Sequence, residues 1–123
     1  MNKEIKISCI EIKNFATDSD VITPNNARVE TVNLGGQRVM KLVVQPGWVW
    51  SKDIQPLVGT QSCEAKHLGV IVEGAITCHH DDGTEATYSA GDAYAIEPGH
   101  DAWVVGDKRA VAYEFHGVWG DKH

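Results

Sequence analysis

The sequence predicts one all-β domain, a sandwich or barrel of short antiparallel strands. Three observations predict it. Turn signals punctuate the chain at intervals of about eight to twelve residues. Two dipeptides, Gly35-Gly36 and Asp82-Gly83, suit tight hairpins, because such turns need residues that tolerate positive φ. Few stretches carry the 3.6-residue apolar period of a helix.

The elements follow in order. Glu4 to Phe15 alternates in part, with Ile5, Ile7 and Cys9 on one side, and reads as an arm or edge strand. Thr17 to Asn26 is polar, contains Pro24 and reads as a loop with room for one helical turn. Arg28–Leu34 and Arg38–Val44 form a hairpin about Gly35-Gly36, and Pro46-Gly47 then turns the chain. Trp48 and Trp50 follow on alternate positions of an expected strand and so share a face. Lys66–Glu73 ends at Gly74, Ala75–His80 runs to the Asp82-Gly83 turn, and Glu85–Tyr88 returns. Ala93–Ile96, Ala102–Val105 and Arg109–Phe115 complete the set, separated by Pro98-Gly99 and Gly106-Asp107. Residues 1–30 are expected to be an N-terminal arm and edge strand, and 31–123 the barrel, within a single domain.

Bulk properties narrow the function classes. A chain of 123 residues can bury one hydrophobic core unaided. The net charge of −6, with lysines scattered rather than clustered, argues against binding a phosphate backbone. The odd set Cys9, Cys63 and Cys78, with no CxxC, argues against a disulfide framework and fits a reducing compartment. The N-terminus lacks a continuous apolar core and a small-residue cleavage site, so no secretory signal is expected. No apolar run approaches the length of a membrane span. A cytoplasmic protein with no nucleic-acid or membrane partner is the expectation. No GxSxG elbow, GxGxxG or Walker sequence occurs, so a hydrolase elbow and a phosphate loop are not expected.

From Pro46 to Phe115 the chain resembles the cupin superfamily. Val70-Ile-Val-Glu-Gly74, the turn at Asp82-Gly83, and Gly91-Asp-Ala-Tyr-Ala-Ile-Glu-Pro-Gly-His100 carry the resemblance. Pro46-Gly-Trp-Val-Trp50, Gly59-Thr-Gln-Ser-Cys63 and Gly99-His-Asp-Ala-Trp103 are similar to a small single-domain cupin subgroup whose members mostly lack an assigned function. The resemblance implies a double-stranded β-helix, or jelly-roll, barrel with an interior pocket. It also implies a metal site of three His and one Glu, and there this chain departs. Counting back from Gly74, the Glu position is His67 and the second His position is Ser62 or Cys63. The first His position is Thr60 or Gln61, and the second-motif His is Ala102.

The remaining donors are Cys63, His67 and His100. A thiolate and imidazoles suit a divalent transition metal such as zinc, iron, manganese, nickel or copper. On a regular strand, however, Cys63 and His67 would stand about 13 Å apart along the axis, too far to share an ion without a bend. The alternative is a hydrogen-bonded pocket histidine beside a small buried thiol. His79 and His80 point to opposite faces beside an acidic hairpin tip and read as a solvated turn. His116 and His123 read as incidental.

Four tryptophans supply either core packing or an aromatic pocket wall. The expected pocket residues are Trp48, Trp50, Gln61, Cys63, His67, Tyr94 and Trp103. Leu68, Val70 and Val72 would face away from His67, leaving an apolar outer stripe. Either the arm, through Ile5, Ile7, Ile10 and Ile12, or a second subunit should cover it, and a homodimer is expected. Two functional readings result. One is a binder of a small organic ligand with a degenerate or variant metal site. The other is a metal-dependent enzyme of isomerase, lyase or oxygenase class acting on a small polar molecule, with His100 or Glu97 as acid or base at the mouth.

Overall fold

The computed structural model describes residues 9–116. Among them nine strands form two sheets: β1 (Asp20–Ile22), β2 (Ala27–Leu34), β3 (Gln37–Val44), β4 (His67–Glu73), β5 (Ala75–His80), β6 (Glu85–Ser89), β7 (Ala93–Ile96), β8 (His100–Val104) and β9 (Ala110–His116). The six-stranded sheet has the order β1-β2-β3-β9-β4-β7, and the three-stranded sheet the order β6-β5-β8. All pairs are antiparallel, which produces the predicted jelly-roll barrel. Single helical turns α1 (Phe15–Asp18), α2 (Trp50–Asp53) and α3 (Gln55–Val58) interrupt the strands. No helix among the described residues is long and apolar enough to cross a membrane.

The hairpins form where the glycines permit them. Gly35 and Gly36 both have positive φ, 59° and 73°, and β2 pairs with β3 from Leu34↔Gln37 to Ala27↔Val44. β2 crosses residue 30, so the expected arm and barrel share a sheet. The core lies between the sheets and gathers Met40, Leu42, Val44, Trp48, Trp50, Ile54, Ile71 and Ile76.

β4 shows clean alternation. His67, Gly69 and Ile71 point inward, while Leu68, Val70 and Val72 stand outside at 45%, 36% and 49% exposure. Ala95 and Ala93 of β7 lie directly opposite Leu68 and Val70 and extend this apolar face. Ile10 and Ile12 do not cover it, being 77% and 86% exposed. Glu11 accepts the Gly35 N–H at 2.7 Å, and the Phe15 ring packs at 5.6 Å on Tyr113, which lies directly opposite Val70 on this outer face. Ile5, Ile7 and His123 lie outside the described residues.

Candidate metal centre

The segment before β4 does not continue the strand. Gly59, at φ 80°, ends α3, and Thr60 Oγ1 donates to the Ser62 carbonyl to close a bend. Cys63 then pairs with His100 in an isolated bridge: Cys63 N–H donates to His100 O at 2.8 Å, and Gly99 N–H to Cys63 O at 2.7 Å. Residues 64–66 have no strand geometry. The 13 Å separation expected for a regular strand is therefore corrected, and Cys63 Sγ lies 3.6 Å from His67 Nε2.

Cys63, His67 and His100 are all buried, and one donor atom from each lies within 4.8 Å of the other two. The imidazoles meet edge to face at 5.0 Å between centroids. Each Nδ1 is committed. His67 Nδ1 faces Glu114 Oε1 at 2.9 Å and His100 Nδ1 faces the Glu97 carbonyl at 2.8 Å. Carboxylate and carbonyl oxygens only accept, so both Nδ1 atoms carry hydrogen, and the Nε2 atoms, which face the Cys63 side, are the ring nitrogens left to ligate. A carboxylate or carbonyl behind the imidazole is the usual support of a metal-bound histidine. With Zn–S near 2.3 Å and Zn–N near 2.0–2.1 Å at a tetrahedral angle, S and N of one ion stand about 3.6 Å apart. The observed Sγ–Nε2 distance fits a shared ion.

Electrostatics hold the cluster together. Burial raises the Cys63 thiol, but hydrogen bonds to His100 and His67 and their charge lower it to about 7. Burial disfavours charge on His67, yet the Glu114 carboxylate and the Cys63 contact lift it to about 10. Cys78 is pushed up to about 12 by burial and by Cys63, which keeps it a thiol. Tyr94 OH donates to Glu114 Oε2 at 2.5 Å, and burial followed by the Glu114 charge drives the Tyr94 pKa upward.

Glu114 was absent from the sequence-based site. The signal available was its parity: Ala110, Ala112 and Glu114 share the inward face of β9. A carboxylate on that face must be paired. Gly69 makes room for it, since a Cβ there would meet Glu114 Cγ at 2.8 Å and Tyr94 OH at 3.0 Å.

An interior cavity of about 20 Å³ abuts both imidazoles, lined also by Leu42, Trp48, Trp50, Ile76, Tyr88, Ile96, Ala102 and Glu114. Trp48 and Trp50 line this cavity, although the expected strand is not formed. Val49 alone bridges Trp103, and Trp50 opens α2. The Asp53 carboxylate stabilises this turn by accepting the Val49 N–H at 3.0 Å. Two expected pocket residues are corrected. Gln61 sits exposed on the Thr60–Ser62 bend. Trp103 has the outward parity of β8, whereas His100, Ala102 and Val104 point into the core. Tyr94 lines a second, outer groove of about 590 Å³ between β6 and β7, with Cys78, His80, Tyr88 and Ile96 among its other walls.

His100, expected at the mouth, is 3% exposed. Glu97 does stand at the groove, paired with Lys66 at 3.7 Å. His79 bonds Glu85 at 3.0 Å and His80 Nε2 bonds the Pro98 carbonyl at 2.9 Å, as suits a hairpin end. His116 is exposed at the end of β9.

No family profile and no curated protein matches the chain. Solved structures do. An RmlC-like cupin from Shewanella frigidimarina is similar with a TM-score of 0.55 and 14% identity, over 89% of this chain and 93% of that one. A protein of unknown function from Vibrio parahaemolyticus is similar at 0.53 and 19%, over 79% and 99%. Oxalate decarboxylase from Lactobacillus farciminis, in a formate complex, is similar at 0.57 and 12%, over 91% of this chain and 35% of that one. At such identities the likeness establishes the fold and leaves the chemistry to the residues. The chain has a cupin-type jelly-roll barrel, with a buried Cys63–His67–His100 cluster in its interior.

Proposed function

We propose that the chain is a metal-binding cupin in which Cys63 Sγ, His67 Nε2 and the free His100 nitrogen hold one divalent transition ion. The observation that carries this reading is the 3.6 Å contact between Cys63 Sγ and the Nε2 of His67, whose Nδ1 is already held by Glu114. One thiolate and two imidazoles favour zinc or copper over the harder ions. Three protein donors leave one position for an outside ligand, as in catalytic zinc sites. We also place the chain with the small single-domain subgroup, because Trp48, Trp50, Cys63 and His100 of its motifs meet at this one site.

A small organic molecule is assigned to the outer groove, since the inner cavity is far below the roughly 300–1,000 Å³ of ordinary ligand pockets. Asp82, Asp92 and Glu97 line the groove, Glu97 paired with Lys66, and among the described residues no lysine or arginine lines it, which favours a neutral or cationic molecule. The second reading is a metal-dependent isomerase, lyase or oxygenase. It is favoured by the open fourth position and by the Tyr94–Glu114–His67 chain that runs from the groove to a metal donor. When bound, the ion would supply Lewis acidity. Glu114 would hold the His67 ring and its Nδ1 proton, and Tyr94 would hold Glu114.

Elemental analysis of tag-free protein, beside His67→Ala, tests the proposal. One ion per chain, lost in the variant, is the expected result. Metal-free protein after growth in supplemented medium and direct zinc addition would overturn it.

A further inference from the structure

A hydrogen-bond donor is left over at the inner cavity. The Trp50 indole Nε1 is buried with no hydrogen-bond partner among the described residues, and Trp50, 1% exposed, is a cavity wall. Native proteins rarely keep such a donor unmet, and a bound water or ion is a usual partner for one. The cavity of about 20 Å³ exceeds the roughly 10–15 Å³ that one water needs. Leu42, Ile76, Ile96 and Ala102 are among its apolar walls, and its volume suits one or two non-hydrogen atoms. Tyr88 and Ile96 line both this cavity and the outer groove, so the two spaces adjoin at these residues. Tyr88 is stacked on Tyr94 at 4.4 Å, which makes that junction aromatic.

We propose that the inner cavity is a pocket for a ligand of one or two non-hydrogen atoms, such as water, hydroxide or a diatomic molecule. The ligand occupies the open position beside His67 and His100 and accepts a hydrogen bond from Trp50 Nε1–H. This rests on the metal reading above and adds to it the size class of the fourth ligand and the residue that positions it. The organic molecule in the groove then meets the site at Tyr88 and Ile96, where the two spaces adjoin. Trp50 is suited to the task because α2 is braced by Asp53, which accepts the Val49 N–H, so the indole is held rather than hinged.

The test uses the full chain loaded with zinc and carrying ¹⁵N-labelled tryptophan. It is titrated with cyanide, and with thiocyanate as the longer probe, while zinc content is checked after each titration. The Trp50 indole resonance, assigned in the wild-type chain, is expected to move with cyanide in zinc-loaded but not in metal-free protein. Thiocyanate should leave it in place. Trp50→Phe should keep zinc and bind cyanide about tenfold more weakly or worse, the loss of one hydrogen bond to a charged ligand. An unmoved indole resonance with zinc retained would overturn the pocket and leave the metal centre standing. Failure to take up zinc would overturn both. The indole shift is read in the wild-type chain and so does not depend on how Trp50→Phe folds.

Discussion

His67 is engaged at both ring nitrogens, with Glu114 behind Nδ1 and Cys63 in front of Nε2. A ring held at both ends has its orientation fixed before any ligand arrives, and such support is worth a factor of about 10–100 in metal affinity. Glu114→Gln is therefore expected to weaken zinc binding about 10–100-fold, measured by competition with a chromogenic chelator, while the fold is kept. Cys63, His67 and His100 were legible in the sequence as donor residue types, the first two at positions where the chain departs from the motif it resembles. Their support was not. Glu114 lies 47 residues from His67, and only the pairing of β9 with β4 brings the two together. Gln61 and Trp103 stand away from the inner cavity for a related reason. Each lies close in sequence to a residue of the Cys63–His67–His100 cluster, yet a bend or a strand's alternation turns it outward.

At the scale of elements, β4 carries the site on one face and an apolar stripe on the other. Gly69 is the position where its packing is tightest, because the β9 backbone, Glu114 and Tyr94 occupy the space a side chain would need. Overpacking of this kind costs about 1–3 kcal/mol, so Gly69→Ala should lower stability by that amount in urea unfolding. It should also weaken zinc binding by displacing Glu114. The strands were largely readable, because glycine turns and alternation are local signals. The predicted Arg28–Leu34 and Arg38–Val44 differ from β2 and β3 only at the N-terminal end of each strand. The stretch after Trp48 was not readable. α2 and α3 have four residues each, too short to show a helical period, and Pro56 within α3 suits the first turn of a helix but was no guide from sequence alone. The bend at Cys63 escaped as well, since it is fixed by hydrogen bonds to His100, 37 residues on.

For the whole molecule, the barrel holds an interior cavity of about 20 Å³, and a groove of about 590 Å³ lies between β6 and β7. The fold class followed from turn spacing and motif order. The size of the interior did not, because it depends on how Trp48, Trp50 and Tyr88 fill it. The stripe of Leu68, Val70 and Val72, flanked by Ala93 and Ala95, is a contiguous apolar face of the kind that marks association. Small alanines beside it let a second sheet approach closely. A homodimer through this face is expected in sedimentation equilibrium, and Val70→Lys should yield monomer with its zinc content unchanged. A wild-type monomer at micromolar concentration would remove that expectation without touching the interior site.

X-ray absorption at the metal edge of the zinc-loaded protein tests the shared-ion centre most directly. One sulfur near 2.3 Å together with nitrogen near 2.0–2.1 Å, the sulfur shell vanishing in Cys63→Ser, is the predicted result. A shell of nitrogen and oxygen alone, or a spectrum indifferent to Cys63→Ser, would contradict the assignment of Cys63, His67 and His100 as the ligands of one ion.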